Sequence, residues 1–261
     1  MKLAKHIKSA LAIAAIGAAS SAQALVVDGV TWNPNALNDF SATDAMYESI
    51  VSNIGDVVSG YSLVTQLNGT ASAVFCPGCE LTMTFTGYQL ANVTLMADLV
   101  TPDQYFFTGG TINIYVDSTP DADFTDPTTY GDGILFLSLA AHTMGNGYTL
   151  ISSPTPQVGN TGNGTGYLDV VGGSAASNFN TNKYGFAYTG NTAADFLFTS
   201  QFQLITNDDG DPVCLSSVND SPICMQGANT INGNSIPEPM PLALVALGLF
   251  GLGLQRRLRR D

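Results

Sequence analysis

Glu80-Leu81-Thr82-Met83-Thr84-Phe85-Thr86 decides the fold class: Leu81, Met83 and Phe85 fall on one face and three threonines on the other. Strict period-two alternation is the signature of an extended strand with one buried and one wet face. The same pattern recurs outward from it. Residues 111–117 place Ile112, Ile114 and Val116 on one side, and residues 195–204 do the same with Phe196, Phe198, Phe202 and Leu204. Residues 133–139 form a more continuous apolar run, as a central strand would. Further strands are expected over residues 61–67, 71–75, 88–95 and 166–171, punctuated by Asn68-Gly69, Gly109-Gly110, Asn146-Gly147 and Gly172-Gly173. Many short strands at this spacing predict a single all-β domain, an antiparallel β-sandwich or a jelly-roll-like arrangement. Residues 44–51 are the one short helix candidate, and residues 152–163 read as an exposed loop. The domain is expected over residues 25–224, with the Gly/Asn-rich residues 225–235 as a linker to the C-terminal segment.

Charge narrows the function. Of 261 residues, eight are Lys or Arg, and seven of those lie in the first eight or last six positions. Between Leu25 and Ser235 a single base, Lys183, faces 19 acids, a net of about −18. Phosphate neutralisation needs clustered Lys and Arg, so the body is expected to bind neither nucleic acid nor nucleotide phosphates.

The two ends read as addresses. Lys2, Lys5 and Lys8 precede a short apolar core over residues 10–19, and Ala22-Gln23-Ala24 supplies a small-x-small cleavage site. That is a signal peptide over residues 1–24, for the Sec export machinery, cut after Ala24. At the other end stand Pro237-Glu238-Pro239, an apolar run over residues 242–254, and Arg256, Arg257, Arg259 and Arg260. Thirteen helical residues span about 20 Å, short of a hydrocarbon core of ~30 Å. The arginines stay cytoplasmic, which places the body outside the inner membrane.

In this order, the tripeptide, short helix and arginine cluster of residues 236–261 resemble the PEP-CTERM sorting signal of Gram-negative bacteria. The resemblance implies processing by an exosortase, a transient inner-membrane anchor, and delivery to the cell surface or extracellular matrix in company with exopolysaccharide. The body adds to it: Phe75-Cys76-Pro77-Gly78-Cys79-Glu80 running into the alternating strand, Gly109-Gly110-Thr111-Ile112-Asn113, and Val27-Asp28-Gly29-Val30-Thr31-Trp32 look like the flocculation-associated PEP-CTERM proteins. What this implies is a non-enzymatic matrix protein acting in floc or biofilm formation.

Site chemistry is sparse. The four cysteines form two local pairs, Cys76 with Cys79 and Cys214 with Cys224. In an exported protein they read as structural disulfides, contributing about 2 and 3 kcal/mol by loop closure. Proximity alone suggests that pairing, so crossed connectivity stays open, as do a redox Cys-x-x-Cys and a metal site. Asp117, Asp121, Asp123 and Asp126 form one acidic loop and Asp208, Asp209 and Asp211 another. Each is a calcium candidate because Ca²⁺ takes hard oxygen ligands; the alternative is ordinary turn chemistry, and no other cofactor is indicated. Neither loop has EF-hand spacing. A catalytic triad would have to use His142, no nucleophile motif is present, and the body holds only two glutamates, Glu48 and Glu80, for glycosidase chemistry. The expectation is no enzymatic activity, with a glycan- or calcium-binding matrix module as the alternative and a secreted glycan hydrolase behind it. Tyr184-Gly-Phe-Ala-Tyr188 is a candidate sugar-stacking surface.

Overall fold

The computed structural model of the chain describes residues 24–34, 40–95, 103–155, 161–182, 193–218 and 221–236. Residues 1–23 of the signal peptide, with Ala22, and Lys183, residues 184–188 and the sorting signal from Pro237 through Arg260 lie outside these residues.

The wall begins with β3 (Phe40–Ser49), which pairs with β4 (Val57–Leu67), and β4 with β6 (Glu80–Thr94). The far half of β6 pairs with β7 (Gln104–Thr108) and its near half with β8 (Thr111–Asp117). Thus β7 and β8 form one stave, bent at Gly109 and Gly110, both with φ in the left-handed region. An added Cβ on Gly110 would collide with the Tyr88 ring. In the same way β9 (Ile134–Ala141) pairs with β8 and β10 (Leu150–Thr155) with β7, and both pair onward with β11 (Thr161–Gly172). From β11 the order runs to β12 (Phe196–Leu204) and then β14 (Ser221–Gly233). Finally β14 pairs with β3, from Ile223↔Ser49 to Gly233↔Phe40. Eight antiparallel staves, each adjacent in space to its neighbour in sequence, close into an up-and-down barrel. Short strands β5 (Thr70–Ala71) and β13 (Ser216–Val218) extend β4 and β14.

The all-β expectation stands, but the sandwich and jelly-roll readings do not: one sheet returns on itself. Alternation says which side chains share a face, not whether the sheet closes. Four local readings are also corrected. Residues 225–235 are not a linker, because they lie in β14 or directly after it, so the folded unit runs past residue 224 to Ile236. Residues 44–49 are strand, not helix; Asp44 and Glu48 sit at inward positions of β3, and their polarity masked the alternation. Residues 152–155 and 161–163 belong to β10 and β11 rather than to a loop. A single helical turn, Ser72–Phe75, replaces the strand expected at 71–75.

Inner and outer faces differ sharply. Leu81, Met83, Ile112, Ile114, Leu139 and Ile231 are buried inside, while Thr43, Thr86, Asn163, Thr165, Gln201 and Gln203 are exposed outside. That is the inverse of a lipid-facing barrel. No helix among the described residues is long and apolar enough to cross a membrane. Glycines let rings lie flat across the wall: Gly60, Gly162 and Gly233 stand in register with Phe85, Phe202 and Phe196, where any Cβ would overlap the ring.

One end of the barrel is packed solid. A hairpin of β1 (Leu25–Val27) and β2 (Val30–Trp32) turns at Asp28-Gly29 and brings Trp32 against Phe179, at 5.1 Å between ring centroids. Phe40 packs on Phe179 at 4.9 Å and on Phe196 at 5.7 Å, and the Trp32 indole N–H donates to Ser235 Oγ at 3.2 Å.

Candidate functional site

The opposite end of the lumen is hollow. All eight staves line a cavity of about 280 Å³, because inner positions there carry small side chains, Ser152, Gly164 and Ser200, where the plugged end has aromatics. The residues between β3 and β4 (Ile50 to Ser52) stand at its rim. Phe85, Tyr88, Phe107, Phe198 and Phe202 are among the residues of its wall. Glu48 enters it from β3 as the single carboxyl in the lining, and burial pushes its pKa up to about 8, with no hydrogen bond or charge offsetting the shift. Tyr88 is pushed above the ordinary phenol range by burial alone.

Two inward positions deeper along β3, beyond Met46, lies Asp44, which is 2% exposed. Burial raises its carboxyl to about 7, with the nearby Ser62 hydroxyl pulling the other way. Neither of its oxygens has a partner at hydrogen-bonding geometry, nor does Asn229 Oδ1, whereas Asn229 Nδ2 donates to Ser62 Oγ at 3.2 Å. An unpaired carboxylate in such a place costs several kcal/mol if ionised, so both acids favour the protonated form.

Outside the barrel, a second cluster forms at the start of β6. Glu80 stands opposite Asp117 in register, and Glu80, Asp117 and Asp121 offer oxygens within 4.8 Å of one another. Glu80 Oε1 accepts from the backbone N–H of Asp121 and of Ala122, both at 2.9 Å, and Asp117 Oδ1 accepts from Thr119 N–H and Oγ1 at 2.8 Å. Burial, opposed by those N–H groups and reinforced by Asp117 and Asp121, raises the Glu80 carboxyl. The loop is held down by Tyr61, whose hydroxyl donates to the Phe124 carbonyl and whose ring packs on Tyr130 at 4.5 Å. Two of the four aspartates expected to act together, Asp117 and Asp121, do converge. Asp123 and Asp126 turn outward, each accepting through Oδ1 from a threonine two residues on, Thr125 and Thr128. Glu80 was overlooked as a ligand because it opens a strand, and only the pairing with β8 reveals its neighbour.

The other candidates separate. Asp208, Asp209 and Asp211 lie on an exposed turn knitted by Asn207 Oδ1, which accepts from Asp209 N–H at 3.1 Å and Asp211 N–H at 2.8 Å; they converge on no common point. Cys76 is bonded to Cys79, and Cys214 to Cys224, so none of the four is a free thiol or metal ligand. His142 Nδ1 pairs with Asp169 Oδ2 at 2.7 Å, linking the end of β9 to β11.

Asp44 and Glu48 make stability depend on pH. Their folded pKa values lie above the unfolded values near 4, so the native state holds more protons than the unfolded chain between about pH 4 and 8. Stability therefore falls as pH rises, by about 1.4 kcal/mol per pH unit for each group until pH passes its folded pKa, about 7 for Asp44 and about 8 for Glu48. The thermal midpoint is expected to be higher at pH 5 than at pH 8.5, with the gap narrowed by Asp44→Asn or Glu48→Gln; equal midpoints in the unaltered protein would contradict the assignment. Comparison with known proteins returned no family model, no curated protein and no solved structure that matches this chain.

Proposed function

We propose that this chain is an exported, non-enzymatic component of the cell surface or extracellular matrix, released by an exosortase and acting with exopolysaccharide in floc or biofilm formation. The order of features at the C-terminus carries the reading: Pro237-Glu238-Pro239, a thirteen-residue apolar run, then Arg256, Arg257, Arg259 and Arg260. Such a tail is too short for a comfortable permanent span and suits a temporary hold. Two disulfides fit folding in an oxidising compartment. An exposed wall of Thr, Asn and Gln offers hydroxyl and amide groups to a hydrated polysaccharide rather than an apolar face to a membrane.

Mass spectrometry of the protein recovered outside the cell tests this. The expected species begins at Leu25 and ends near Pro237 to Pro239, and deleting the gene disperses flocs without lowering polysaccharide output. An exported species that keeps the arginine tail, or normal flocs in the deletion, would count against it.

A calcium-binding matrix module is the second reading, favoured by the convergence of Glu80, Asp117 and Asp121. A divalent cation there would offset the burial that raises Glu80 and the repulsion from Asp117 and Asp121 that adds to it. Millimolar Ca²⁺ is then expected to raise the thermal midpoint by several degrees, an effect removed by EDTA and by Asp117→Asn. No shift, or one that survives Asp117→Asn, would discard this reading.

A further inference from the structure

We propose that the barrel lumen is a binding site for a small hydrophobic ammonium ion, an apolar body of about ten heavy atoms carrying one protonated amine, held by Glu48 and the surrounding aromatic rings. The size follows from the volume: an apolar cavity of ~150 Å³ accepts benzene, and this one is about 280 Å³.

The chemistry follows from the lining. Phe85, Tyr88, Tyr105, Phe107, Phe198 and Phe202 surround the space, and Glu48 is its one carboxyl. Aromatic faces carry the negative end of the ring quadrupole and attract cations, most strongly where water is excluded. A carboxyl in apolar surroundings with neither a hydrogen bond nor a counter-ion is costly unless a ligand answers it. An anion would meet Glu48 inside a body of about −18 and would find no Lys or Arg in the wall. A neutral molecule would satisfy the rings but bring no counter-charge to an ionised Glu48. An ammonium ion answers both, and the field of an acidic protein draws cations toward the rim.

The cavity is also a departure from how this chain packs elsewhere. The far end of the same lumen is filled by Trp32, Phe40, Phe136, Phe179 and Phe196, so the sequence has large side chains to spend on filling space. Here Ser152, Gly164 and Ser200 keep it open. The titratable groups facing Glu48 across the space are the phenols Tyr88 and Tyr105, with Asp44 two inward positions deeper on β3. Tyr88 stays neutral over the working range because burial moves its ionisation further upward.

Isothermal titration of the purified full chain with three probes of matched size tests the proposal: 2-phenylethylammonium, neutral 2-phenylethanol and phenylacetate. At pH 8.5, where Glu48 is largely ionised and the amine still protonated, the ammonium ion is expected to bind at least ten-fold more tightly than the alcohol, with phenylacetate weakest. That preference shrinks at pH 6. Glu48→Gln abolishes the preference and retains alcohol binding, while Ser152→Leu fills the lumen and weakens all three probes; circular dichroism confirms that both variants fold. Equal affinities in the unaltered protein, a preference that survives Glu48→Gln, binding insensitive to Ser152→Leu, or no binding of any probe would overturn it.

Discussion

The pairing of β14 with β3 is the constraint on which the molecule depends. Backbone N–H and C=O groups at an open sheet edge invite pairing with another chain, and closure removes the edge altogether. Here the last strand of the folded unit meets the first stave along nearly its whole length, from Phe40↔Gly233 to Ser49↔Ile223. Everything enclosed follows from that seam. The apolar residues of alternating strands acquire a common interior, and the polar residues of the same strands become a continuous outer wall. The Cys214–Cys224 bond lies where β14 begins and ties the connection from β12 to the closing strand.

Closure also sets what the interior can hold. An eight-stave barrel has a lumen that side chains can just fill, and this one is filled at one end only. At the plugged end, rings from β2, β3, β9 and β12 interlock with Phe179, and Trp32 reaches Ser235 beyond the end of β14. At the other end the inner positions shrink to serine and glycine, and two carboxyls, Asp44 and Glu48, descend along β3 with no cationic partner. The same strand that closes the barrel therefore carries its least comfortable residues. In the chain as a whole the basic residues gather at the ends and the body keeps one lysine, so among the described residues no Lys or Arg is at hand to pair them.

Much of the wall was legible in the sequence. The strands at 80–86, 111–117 and 195–204 announced themselves because each places aliphatic or aromatic residues on one face and Thr, Asn or Gln on the other. Where the inner face is not apolar, the signal failed. Inward positions of β14 are Gly227, Asn229, Ile231 and Gly233, which read as linker composition although glycine is there because rings and carbonyls from β12 occupy the space of a side chain. Inward Asp44 and Glu48 made β3 look helical for the same reason. The acidic loop gave Asp117 and Asp121 through local density, but Glu80 joins them through its cross-strand pairing with Asp117, far along the chain, which no local pattern reports. Closure itself leaves no local mark at all, since a sandwich and a barrel can be woven from the same alternating strands.

The central claim is thus the seam between the first and last staves, and a cross-strand disulfide tests it most directly. Ala45 on β3 and Ala228 on β14 stand in register, and both side chains are exposed. Directly opposed residues of antiparallel strands have Cα atoms roughly 4.5–5.5 Å apart, within reach of a disulfide. In the double variant Ala45→Cys/Ala228→Cys, mass spectrometry of the oxidised, folded protein should find the two new cysteines joined to each other, with Cys76–Cys79 and Cys214–Cys224 intact. Two unpaired thiols in a protein that retains its native circular dichroism would place β14 away from β3 and contradict the closed barrel.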